Sequence, residues 1–111
     1  MVAAEISAET HVLSPWERYL NSEEAQGALW QGAKALAHPV RVKILRYISS
    51  ERCCFCGEFS KKLNLAQSTV SQHLKVLKDA GFLWEEPQGP AVCYGVNRAN
   101  LKRWQVLVAS L

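Results

Sequence analysis

The chain has 111 residues, 49% of them hydrophobic, and carries 13 Lys/Arg against 10 Asp/Glu for a formal charge of +3. That length holds one compact domain and excludes a second. No apolar run approaches the roughly 20 residues of a membrane span, and no basic stretch followed by an apolar core opens the chain, so a cytoplasmic protein with no membrane role is expected.

Residues 1–13 are small, acidic and aperiodic, and read as a mobile arm; residues 14–111 read as the folded domain. Ser14-Pro15 places an N-cap before an N1 proline and opens a short helix with Trp16, Tyr19 and Leu20. Asn21-Ser22 breaks it. Ser22 caps a second helix, with Glu23 and Glu24 in its first turn, that runs to about Ala37. Its expected inward residues are Leu29, Ala33 and Leu36, flanked by Trp30 and Ala37. His38-Pro39 ends it, because a residue before proline avoids the helical region. Pro39 starts a third helix through Ile48, with Val42, Ile44, Leu45 and Ile48 inward and Arg41, Lys43 and Arg46 outward.

Glu58 to Leu63 reads as a short helix with Phe59 and Leu63 inward. Asn64-Leu65-Ala66-Gln67 then makes a tight connection to Gln67–Gly81. In that stretch Val70, Leu74 and Leu77 fall at i, i+4, i+7 on one helical face. Gln67, Ser68, Ser71, Gln72 and Lys75 take the other, and Gly81 stands where a left-handed C′ residue belongs. Ala66 occupies the N-cap without a capping side chain, which costs about 1 kcal/mol unless Ser68 caps one turn later. Two β-prone runs, Phe82–Glu86 and Ala91–Val96, flank a Pro/Gly turn and read as a hairpin. Asn97–Asn100 leads into a last helix over Leu101–Leu111, with Leu101, Trp104, Leu107 and Val108 on its apolar face.

Charge is unevenly placed. Residues 1–30 hold one cation and five acids (−4), residues 31–78 nine cations and two acids (+7), and residues 79–111 three of each. The positive block contains the two short helices joined by a tight turn, the second polar-faced. This is the helix-turn-helix pattern with the electrostatic footprint of phosphate contact.

The runs Ala35-Leu36-Ala37-His38-Pro39-Val40-Arg41-Val42-Lys43-Ile44-Leu45, Cys54-Phe55-Cys56-Gly57-Glu58-Phe59 and Gln67–Gly81 resemble the ArsR/SmtB family of metal- and metalloid-sensing repressors. The resemblance covers roughly residues 28–97. It implies a mostly α fold with a small β-hairpin, a winged helix-turn-helix, in which residues 14–111 form one DNA-binding and dimerisation domain. It further implies a homodimer joined through the first and last helices and bound to double-stranded operator DNA. Gln67, Ser68, Ser71 and Gln72 are then candidates at the bases, Thr69 and His73 at the DNA face or its edge, and Arg41, Lys61, Lys62 and Lys75 at phosphates. The wing tip, Glu85–Pro90, lacks the basic residues usual in family wings.

Cys53, Cys54, Cys56 and Cys93 are the cysteines. A reducing compartment disfavours a structural disulfide, and three thiols within four positions point to soft-ion binding or redox chemistry. The Cys-Val-Cys-Asp-Leu pair of arsenic-responsive members aligns on Phe55 and Gly57, so it cannot be carried over. Cys53 and Cys54, read as opening a helix beside Arg52, become the expected thiolates. Cys56 falls on an inward position as a third ligand, and Cys93 is remote in the wing. Trivalent arsenic or antimony is the expected effector. Zinc lacks its last-helix ligands, since Leu101–Leu111 contains no His, Asp or Glu. His11, His38 and His73 are scattered along the chain.

A repressor that senses oxidation or persulfidation through the same cysteines is the alternative reading. A thiol enzyme or a metal carrier without a DNA role is the competing class. An enzyme would need a base beside the cysteine and a cleft, and no His adjoins the cluster in sequence. The protein is therefore expected not to be an enzyme.

Overall fold

The computed structural model describes residues 12–49 and 53–111. Most of the expected arm, His11, and Arg52 beside the cysteines lie outside the described residues. The elements are α1 (Pro15–Leu20), α2 (Glu23–Leu36), α3 (Pro39–Ser49), β1 (Cys54–Phe55), α4 (Cys56–Leu63), α5 (Gln67–Asp79), β2 (Leu83–Gln88), β3 (Ala91–Val96) and α6 (Arg98–Ala109).

The helix starts follow their caps. The Ser14 hydroxyl accepts from the Glu17 backbone N–H while the Glu17 carboxylate accepts from the Ser14 N–H, closing a capping box. Ser22 Oγ accepts from the Ala25 N–H at 3.1 Å and opens α2. α4 ends at Asn64, which takes the left-handed conformation with φ 54°. α5 ends at Ala80 with Gly81 at φ 85°, and the Phe82 N–H returns to the Leu77 carbonyl.

The core lies where α3, α4 and α5 meet the sheet. Ile44, Ile48, Phe59, Val70, Leu74, Leu77 and Phe82 are all buried there. Mostly helical, with this small sheet, the fold is a winged helix-turn-helix. α4 and α5 are the helix-turn-helix and β2–β3 is the wing.

Several expectations are corrected. The wing is a three-stranded antiparallel sheet in the order β1-β3-β2, because Cys54–Phe55 adds a short strand pairing Cys54 with Tyr94 and Phe55 with Cys93. Cys53 and Cys54 therefore do not open a helix; α4 begins at Cys56. β2 runs through Pro87 to Gln88, which an edge strand tolerates. α6 begins at Arg98, capped by the Asn97 side chain on the Asn100 N–H. α2 buries Ala25, Gly32 and Ala35, leaving Ala33 exposed, and Val42 on α3 is also exposed.

Trp104 is inside the subunit. Its indole lies over Gly32, donates Nε1–H to the Leu29 carbonyl at 3.0 Å and meets Phe82 edge to face. Gly32 has no side chain to hold the indole away.

Candidate nucleic-acid interface and cysteine pair

α5 is fixed from below by Val70, Leu74 and Leu77, each with no exposed surface. That anchoring turns Gln67, Ser68, Ser71, Gln72 and Lys75 out to solvent on the opposite face, with Thr69 and His73 half-buried at its edges. A helix that offers amides and hydroxyls from a rigid seat has the donors and acceptors that base edges in a major groove require. Ala66 gives α5 no side-chain cap, and Ser68 falls inside the helix, so the first-turn N–H groups stay open to solvent or phosphate.

Lys61 and Lys62 are exposed at the end of α4, with the Lys62 ammonium 4.8 Å from the Tyr47 ring centre. Lys75 pairs with Asp79 at 3.0 Å, an exposed contact worth little. Lys78 pairs with Glu85 and ties α5 to the wing. Arg41 stands apart from the expected phosphate contacts. Its guanidinium turns inward, donating Nε–H to the Ala35 carbonyl at 2.6 Å and approaching His73 Nδ1 at 3.4 Å.

The cysteines are not gathered as the sequence suggested. Cys53 is joined to Cys93 of β3 as a disulfide, with Cα atoms 5.6 Å apart, inside the range that such a bond spans. Cys93 is thus the partner that the sequence left remote. Cys54 is buried in the core, and Cys56, expected inward, is partly exposed. The Cys56 thiol donates to the Gln67 carbonyl at 3.6 Å, and burial pushes its pKa up despite its place at the start of α4. No cluster of three metal-ligating side chains occurs among the described residues. The hint that could have found Cys93 was β1, but two residues carry no readable alternation.

Residues 36–84 match the family model of a helix-turn-helix domain. The transcriptional regulator CmtR of Mycobacterium tuberculosis is 32% identical over 84 residues, 76% of this chain and 70% of that protein. The chain belongs to the ArsR/SmtB family. The transcriptional repressor SmtB of Mycobacterium tuberculosis is 45% identical over 62 residues, 55% of this chain and 44% of that protein. An ArsR-like transcriptional regulator from Rhodococcus sp. RHA1 superposes with a TM-score of 0.68 over 78% of this chain and 81% of that one; at 20% identity it speaks for the fold.

As an ArsR/SmtB member, the chain is a DNA-binding transcriptional repressor of the winged-helix type. No helix among the described residues is long and apolar enough to cross a membrane.

Proposed function

We propose that the chain is a cytoplasmic, homodimeric repressor that reads operator DNA with α5 and is released by thiol chemistry at Cys53 and Cys93. One observation carries this reading. The short segment Cys53–Cys56 is linked to the wing at its first residue and touches Gln67, the first residue of α5, at its last. A change at the cysteine pair therefore has a direct path to the recognition helix. Reduced, the start of α4 is held to the wing by the short β1–β3 pairing without a covalent link. When an oxidant of the peroxide or polysulfide class takes two electrons from the two thiols, two protons leave and the cross-link stiffens that junction.

A second reading keeps the pair and changes the reagent. With Cα atoms 5.6 Å apart, the reduced thiolates are close enough to share one As(III) or Sb(III) ion. A third sulfur would have to come from Cys56 or Cys54, and recruiting Cys56 would break its contact with Gln67. Operator DNA and effector then weaken each other's binding by the same factor.

The test is a gel shift of the reduced protein titrated with As(III), Cd(II), Zn(II) and a persulfide donor. Release by the persulfide donor that is lost in both Cys53→Ser and Cys93→Ser supports the redox reading. Release by As(III) that is lost in Cys56→Ser as well supports the metalloid reading. Release that survives all of these substitutions excludes both.

A further inference from the structure

His38, Arg41 and His73 belong to three different places: the α2–α3 corner, the first turn of α3 and the middle of α5. The fold brings them together. Arg41 donates Nε–H to the Ala35 carbonyl at 2.6 Å and Nη2–H toward the Lys34 carbonyl at 3.4 Å, at the open end of α2. Its Nη1 lies 3.4 Å from His73 Nδ1, and the His38 and His73 ring centres are 4.5 Å apart. His38 Nδ1 accepts the Val40 backbone N–H at 3.1 Å.

We infer that these three side chains form a proton-operated latch on the recognition helix, in which Arg41 is a positioning residue that fastens α5 to the end of α2 through His73. The chemistry follows from donor and acceptor inventories. A guanidinium has only donors, so His73 Nδ1 must accept, and the proton of that neutral ring sits on Nε2. His38 Nδ1 accepts for the same reason. An imidazolium has only donors, so a proton on either ring abolishes its acceptor. On His73 it also sets a cation against Arg41.

Burial, then His38, then Arg41 hold the His73 pKa below the ordinary imidazole value. A base whose folded pKa is depressed gives stability that is present above its unfolded pKa, about 6.5, and lost as pH falls below it. Among the described residues no carboxylate bears on the ring to offset this. On the elements packed around α5, the acids Asp79 and Glu85 are engaged by Lys75 and Lys78. The other charged groups are Glu23 and Glu24 in the first turn and Lys34 in the last turn of α2, Lys43 and Arg46 on α3, Lys61, Lys62 and Glu58 on α4, and Glu86 on β2. The latch-closed form presents α5 to the groove, whereas the free protein can open. Proton uptake and operator binding therefore oppose each other.

This inference rests on α5 being the DNA reader, and its test separates the two claims. Affinity is measured on the reduced protein at fixed salt, at about pH 7.5 and about pH 5.5. The probes are a duplex selected from a random library at the higher pH and an unselected duplex. The parent is expected to lose about tenfold in affinity for the selected duplex on acidification, a coupling of ordinary allosteric size. The unselected duplex should show no such loss. The ratio of the two affinities should stay within about twofold across pH in His73→Gln, which keeps an acceptor and cannot titrate. His38→Asn, which keeps an acceptor for Val40, should show a reduced ratio.

Tighter binding in acid, no change in the parent, or the same loss in His73→Gln would overturn the latch. If no duplex is selected at the higher pH, the DNA reading fails instead. The latch is then judged by NMR titration of the free protein: His73 must titrate below a free imidazole and move up in Arg41→Gln, and a His73 that titrates normally overturns it.

Discussion

Gly95 is glycine because Trp84 occupies the space where a side chain would stand. The two residues pair directly across β2 and β3, and a Cβ on Gly95 would fall within the indole. Gly95→Ala must push the ring off the sheet and should cost about 1–3 kcal/mol, as overpacking does. Urea denaturation measures the cost, and Trp emission should shift as Trp84 becomes more exposed; an unchanged midpoint would place the ring elsewhere. The cysteines show the same dependence on strand geometry. Along β1, neighbouring side chains point to opposite faces, so Cys54 enters the core while its neighbours do not. A helical reading of the same residues reverses Cys54 and Cys56, and the two-residue strand is too short to announce itself.

At the scale of elements, the recognition helix is the most legible part of the chain. Its i, i+4, i+7 spacing at Val70, Leu74 and Leu77 becomes three wholly buried side chains. Gln72→Ala should therefore relax specificity at one base pair at a cost of about 1–3 kcal/mol, while Lys75→Ala weakens all sequences alike and flattens the salt dependence. Quantitative binding to operator variants at several salt concentrations checks both. If both mutants match the parent on every duplex, α5 is not the reader. Ala66→Ser supplies the missing cap and should raise thermal stability by about 1 kcal/mol. The helix starts at Ser14 and Ser22 and the turn at Gly81 were legible for the same reason: caps and left-handed residues act locally. Arg41 was not, because on a helix face its charge reads as outward. Only the carbonyls at the end of α2, reached through the His38-Pro39 corner, explain why it folds inward. The pairing of Cys53 with Cys93 and the approach of His38 to His73 are long-range, and no local pattern encodes them.

At the scale of the whole molecule, the apolar residues of the first and last helices divide into two groups. Trp104 and Leu107 complete the subunit's own core, whereas Trp16, Val108 and Leu111 remain exposed on α1, α6 and the chain end. Beside them Leu13, Leu20, Leu29 and Leu107 line a groove between α1, α2 and α6. Under the proposed dimer a second copy covers this side. Trp104→Ala should then destabilise the fold by about 3 kcal/mol. Trp16→Ala should lower the sedimenting mass at a given concentration and leave the unfolding midpoint of the monomer nearly unchanged. A parent that sediments as a monomer while binding DNA tightly would contradict the dimer.

Under the proposed function the Cys53–Cys93 pair controls the hold of α5 on DNA. Fluorescence anisotropy tests it most directly, using a labelled duplex selected by the reduced protein and one protein preparation measured before and after mild oxidation. Forming the pair should weaken binding at least about tenfold, a coupling in the ordinary allosteric range; a reductant should restore it, and Cys93→Ser should bind like the reduced parent under both conditions. Equal affinity in the two states, or a Cys93→Ser protein that still loses DNA on oxidation, would contradict it.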